Sequence, residues 1–216
     1  MNKTQDICSV STLLDCKVET SPIFIKRFGA TSIFRIEVSL KRKSGVEDRF
    51  YISYSSRLGV VVNKGDYISI EGDIRSLNKG DTSFVIEDYI FAKSITILDS
   101  EPEVYRNETC IKNAELFDFT DARKSYDDDD MMVANYRIRL SRGHGRCSYF
   151  RVTSWGRDAV FLGNIHNSIR YMDITCRLQS YVSKRSNKLY LCLSAYKLNT
   201  HKEGNIDKEV CQKQND

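Results

Sequence analysis

Val133-Ala134-Asn135-Tyr136-Arg137-Ile138-Arg139-Leu140 and Tyr149-Phe150-Arg151-Val152-Thr153-Ser154-Trp155-Gly156-Arg157 read as two strands of alternating character. Tyr171-Met172-Asp173-Ile174-Thr175-Cys176-Arg177-Leu178-Gln179 reads as a third. A period of two means that each strand buries one side and presents the other. The side to be buried is Tyr136, Ile138, Leu140, Phe150, Val152, Met172, Ile174, Cys176 and Leu178. The side to be presented carries Arg137, Arg139, Tyr149, Arg151, Thr153, Trp155, Tyr171, Thr175, Arg177 and Gln179. Arginines interleaved with aromatics suit single-stranded nucleic acid, because cations follow phosphates and flat rings stack on bases.

The charge distribution supports the same reading. Residues 134–202 hold 13 basic and 2 acidic residues, a net of +11, whereas residues 101–133 carry a net of −6. The whole chain is only +4, so the basic charge is concentrated where the aromatics are. A polyanion-binding face explains that asymmetry better than a uniformly solvated surface does. Phosphate-contact candidates are Arg137, Arg139, Arg142, Arg146, Arg151, Arg177, Lys184, Arg185 and Lys188. Stacking candidates are Tyr149, Trp155, Tyr181 and Tyr190.

Upstream, the chain continues in short strands. These are expected from Ser9 to about Lys26 (closed by Ser21-Pro22), over Ile33–Leu40, Phe50–Tyr54 and Tyr67–Ile74, and from Phe84 to Leu98. Asn78-Lys79-Gly80-Asp81 is a hairpin-turn signal. The second half repeats the first. Phe34-Arg35-Ile36 matches Tyr136-Arg137-Ile138, Phe50 matches Phe150, and Ile70–Ser76 matches Ile174–Ser180, with offsets of 100 to 104 residues. Two copies of one β-module follow, residues 1–100 and 107–202, joined by a connector at 101–106 and ending in a flexible tail at 203–216. Five strands per copy, with one short helix over Arg157–His166 capped by Gly163-Asn164, point to a small closed Greek-key barrel rather than a β-sandwich.

No constellation for catalysis emerges: there is no nucleophile elbow, no phosphate-binding glycine loop before a lysine, and no deaminase-type zinc motif. An enzyme is not expected, nor is any cofactor. His144-Gly145-Arg146-Cys147 offers two of the four ligands a zinc site needs and reads as a glycine-containing loop. Asp127-Asp128-Asp129-Asp130 reads as a solvated loop. Seven widely spaced cysteines suit free thiols in a reducing compartment. With no signal pattern and no apolar run of membrane-span length, the expectation is a cytoplasmic, nucleoid-associated protein with no membrane partner.

At these residues the chain resembles the bacterial single-stranded DNA-binding (SSB) proteins, whose domain is an OB-fold. Val133-Ala134-Asn135-Tyr136-Arg137-Ile138 is similar to that family's V-A-N-x-R-hydrophobic strand. Tyr149–Ala159 is similar to its W-x-R-V-x-x-aromatic-G-K-x-A segment, and Lys64–Ile74 to its K-G-x-x-V-x-V/I-E-G-x-L segment. The resemblance spans most of residues 10–98 and 107–199. It implies an all-β chain of two tandem five-stranded OB-folds that binds single-stranded DNA without catalysis and with little sequence preference.

The resemblance also implies stacking by Tyr149 and Trp155, a phosphate contact by Arg151, and a fourth-to-fifth strand loop at Tyr181–Lys188. In the first copy those aromatic positions carry Arg49 and Ser55, so the first copy is expected to serve as scaffold or dimerisation module, or to contact the strand only weakly. Cys176 stands where the family prefers glycine, and Val210–Asp216 lacks the family's acidic, phenylalanine-ended tip. A divergent member, from a mobile element or phage-like region, is the expectation. RNA binding is compatible with the same forces, and family members assemble, which makes a homodimer the expectation here. The alternative is a protein-interaction adaptor, a degenerate OB pair in a replication, primosome or conjugation assembly.

Overall fold

A computed structural model describes residues 8–78, 86–125, 130–142, 146–183 and 188–202. The elements are β1 (Ser9–Val18), β2 (Ile23–Phe28), β3 (Thr31–Lys41), β4 (Glu47–Ser55), β5 (Tyr67–Asn78) and β6 (Ile86–Leu98). Then come β7 (Asn107–Lys124), β8 (Met132–Ser141), β9 (Cys147–Trp155), α1 (Gly156–Ile165), β10 (Ile169–Val182) and β11 (Leu189–Lys202). Ser21-Pro22 ends the first strand earlier than the alternation suggests. Proline has no N–H to continue a ladder, so β1 stops and β2 restarts as a separate edge strand.

The strands close into two barrels. In the first, β1-β5-β6-β4-β3 run in that order and β3 returns to β1; β2 pairs only with β3. In the second, β7-β8-β9-β11-β10 close through β10 against β7. Each has one parallel pair, β4 with β6 and β9 with β11, as a five-strand Greek-key barrel with the OB strand order requires. Both are all-β OB-folds. The second inserts α1 between its third and fourth strands; the first has only a 3-10 turn there, Ser56–Leu58. Gly163 lies inside α1 rather than capping it, and His166 follows as the cap.

Alternation fills both barrels as expected. Ile36, Phe50, Ile52, Ile70, Ile74 and Ile90 are buried in the first, and Tyr136, Ile138, Leu140, Phe150, Val152, Ile174 and Leu178 in the second. Each fully buried chain of this size contributes on the order of 1.5–3 kcal/mol. The barrels are joined by antiparallel pairing of β1 with β7, from Ser9 opposite Lys112 to Leu14 opposite Asn107. Thr12 and Thr109 share a buried hydroxyl hydrogen bond of 3.1 Å across that seam. A second seam is polar. Asp48, wholly buried, accepts from Arg42 Nε at 2.5 Å and from the backbone N–H of Ser180 at 2.6 Å.

Registers also refine the repeat. Ile90 and Leu193 pair with Ile74 and Leu178, and also lie beside Ile52 and Val152 on the parallel strands. Ile36 faces Ile52 just as Tyr136 faces Val152. Ile36 therefore corresponds to Tyr136, two residues away from the match made by Phe34-Arg35-Ile36 in sequence. Alternation tolerates a two-residue slip because it preserves which face each side chain takes.

Candidate nucleic-acid interface

β9 lies between β8 and β11, and its pleat sends Tyr149, Arg151, Thr153 and Trp155 outward while Phe150, Val152 and Ser154 are buried. Trp155 is 42% exposed, Tyr149 37% and Tyr181 39%, so these rings have free surface. Arg137 and Arg151 are direct cross-strand neighbours, as are Arg139 and Tyr149. Like charges facing each other on a sheet are unfavourable unless something offsets them. Arg137 is offset by Asp118 of β7, at 2.6 Å, and Arg151 donates to the Tyr181 hydroxyl at 2.6 Å. Tyr181 in turn stacks on Tyr190, 5.5 Å between centroids and 18° between planes.

On the other flank, a register shift in β7 between Leu116 and Asp118 turns Phe117 out to 52% exposure. Its ring meets Tyr149 edge-on at 4.9 Å, with the Arg137 guanidinium 6.0 Å from its centroid. From Phe117 through Tyr149 and the Arg137/Arg151 pair to Tyr181 and Tyr190, rings and guanidinium groups thus follow one another across all five strands. Trp155 closes the end of β9 at the start of α1. This surface can stack planar bases and attract phosphates.

Other candidates sit differently. Arg139 is paired with Glu115, which also takes Arg170. Arg177 lies over the Tyr196 ring at 5.5 Å, and both line a cavity of about 860 Å³ between the barrels. Tyr196 donates to Glu108 at 2.8 Å, and burial first, then that carboxylate, pushes its hydroxyl up to about 12. Lys188 is exposed, its carbonyl accepting from the Ser183 N–H. Lys184, Arg185, Asp127–Asp129 and His144 fall outside the described residues. No group of three metal-capable side chains gathers among the described residues; Cys147 is exposed while Cys176 is buried, its thiol 3.5 Å from the Thr109 carbonyl.

Two features are not visible in the charge tally. The acidic 101–133 stretch is largely a strand, β7, lying beside the basic β8, so Asp118 and Glu115 neutralise part of the +11 locally. Thr109 and Ile111, both buried, are the alternation that could have revealed it. In the first barrel, Arg49 is held by Glu37 and Glu47, and the Ser55 hydroxyl caps the 3-10 turn. Yet the outward sheet there still carries rings. Arg35 lies between Tyr51 and Tyr89, 5.5 and 5.7 Å from their centroids, and bonds Glu87 at 2.6 Å; Arg75 covers Phe91 at 4.0 Å.

No family model matches this chain, and no curated protein matches it in sequence. Among solved structures it is similar to the wild-type single-stranded DNA binding protein from Thermus aquaticus. That likeness has a TM-score of 0.68 and 17% identity, over 92% of this chain and 95% of that one. An internal deletion mutant of the same Thermus aquaticus protein gives a TM-score of 0.68 and 16% identity, over 94% and 99% of the two chains. In fold the chain is SSB-like, with two OB-folds in tandem.

Proposed function

We propose that this tandem OB-fold chain binds single-stranded DNA without catalysis and with little sequence preference. The Thermus aquaticus protein of the same fold is a single-stranded DNA binding protein, which supports the reading. The observation that carries it is the outward sheet of the second barrel, where exposed Tyr149, Trp155 and Tyr181 alternate with Arg137 and Arg151. Every base has a π-face, so stacking and phosphate attraction bind without reading sequence. The second barrel is the principal binding module. Arg177, Lys184, Arg185 and Lys188 add phosphate contacts along the fourth and fifth strands and their loop. Replication and repair are the processes such binding serves.

Trp155 is the only tryptophan, so its fluorescence reports directly on the site. Titration with oligo(dT) is expected to quench it. Trp155→Ala is expected to lose about 1–3 kcal/mol of binding, roughly 5- to 150-fold in Kd. A flat titration at low salt, with unchanged retention of labelled DNA on a filter, would overturn the proposal. It would favour the adaptor reading, which the exposed apolar strand β2 (Ile23, Phe24, Ile25 and Phe28) supports.

A further inference from the structure

Between the barrels, at the start of β1, lies a cleft of about 410 Å³. Its first-barrel wall carries Asp73, Arg75 and Lys93, and its second-barrel wall carries Arg142 and Arg146 at the base of the β8–β9 hairpin. Four cations thus face one carboxylate. Asp73 is already engaged by Lys93 at 2.6 Å and by Arg75 at 3.4 Å. Arg142 and Arg146 form no ion pair among the described residues. Arg142 is fixed by donating to the Ser148 hydroxyl at 3.0 Å and to the Ile74 carbonyl of the first barrel. Burial and the neighbouring Arg75 charge push its pKa down, opposed by the Asp73 carboxylate. Arg75 Nε is buried with no hydrogen-bond partner. Excess positive charge held rigidly in a concave seam is the arrangement that an anion relieves.

The cleft's position says which anion. On the second barrel, outward phase runs from Arg137 and Arg139 on β8, and from Arg151 and Tyr149 on β9, to Ser141 and Cys147 at the hairpin base beside Arg142 and Arg146. On the first barrel, Arg75 leads directly to Phe91, Tyr89, Arg35 and Tyr51. The seam therefore joins two faces that each combine rings and guanidinium groups. Resting on the function proposed above, we infer that the cleft is a phosphodiester-binding site through which one nucleic-acid strand passes from the second barrel's sheet to the first's. The partner chemistry is the backbone of a single strand long enough to touch both barrels.

The test compares the full-length wild-type chain with Lys93→Gln/Arg146→Gln, and with Arg146→Gln alone because that residue is exposed. The probes are oligo(dT) of about 8 nucleotides, within one OB-fold's usual span, and of about 35 nucleotides, enough to cross the seam. On the long probe, the double variant is expected to weaken binding at least fivefold. It is also expected to flatten the log–log salt dependence by about 1.4, since each neutralised phosphate of a single strand contributes about 0.7. Arg146→Gln alone should give about half that change in slope, and for both variants the loss on the short probe should be clearly smaller than on the long one. An unchanged slope on the long probe, or an equal loss on both probes, overturns the inference while leaving the proposed function intact. Wild-type protein that binds neither probe overturns both.

Discussion

Asp88 shows what a single residue at the barrel junction does to the energetics. Burial raises its carboxyl to about 7, opposed by the Leu191 backbone hydrogen bond and the Arg151 charge and reinforced by Glu87; one carboxyl oxygen, Oδ1, is buried without a hydrogen-bond partner. A carboxyl with a raised folded-state pKa binds its proton more tightly folded than unfolded. Its contribution is therefore fully present below about pH 4 and is lost as pH rises through 7. Asp15, Asp173 and Glu101 are held below their ordinary values by hydrogen bonds and basic partners, so they act the other way, only as pH falls below about 4. Between pH 5 and 8 the expectation is a loss of stability on the order of 2–4 kcal/mol, removed in Asp88→Asn. Urea denaturation of both proteins at the two pH values measures it. Parallel profiles would show that Asp88 does not titrate in this window.

At the scale of elements, the β5–β6 pairing is shaped by a register shift between Glu71 and Gly72. A Cβ on Gly72 would stand 2.5 Å from the Phe91 carbonyl oxygen, a backbone atom that cannot turn aside. Gly72→Ala is expected to destabilise the chain by about 1–3 kcal/mol through this overpacking. The midpoint of urea unfolding is the readout, and an unchanged midpoint would mean that the bulge relaxes freely. The corresponding position in the second barrel is Cys176, at the matching shift between Thr175 and Cys176. There the pairing admits a side chain, which turns into the core; this is how the second barrel departs from glycine and still closes. Gly72 and Cys176 stand at equivalent places in the repeat, but sequence alone does not say that one is obligatory and the other is not.

For the whole molecule, the polar seam around Asp48 ties the barrels together beyond the β1–β7 ladder. Asp48→Ala would strand the Arg42 guanidinium and the Ser180 N–H at a buried junction, and the expected cost is about 3–5 kcal/mol. Thermal or urea unfolding measures that cost, and a loss under 1 kcal/mol would show that the seam is solvated. Three strands of the second barrel, their inward faces and the ring–arginine chemistry of their outward side were legible in sequence, because alternation at a period of two is a local property of each strand. Phe117 was not legible, because only a register shift in β7 brings it beside Tyr149. Neither was the neutralisation of Arg137 and Arg139, which depends on Asp118 and Glu115 from a strand whose acidity looked like a separate segment. Local pattern by itself thus determined two β-modules, their cores and the chemistry of one exposed face. Only the tertiary structure decided which charges meet, because contacts between strands and between barrels join residues up to 132 positions apart, and hydropathy carries no information about such pairs.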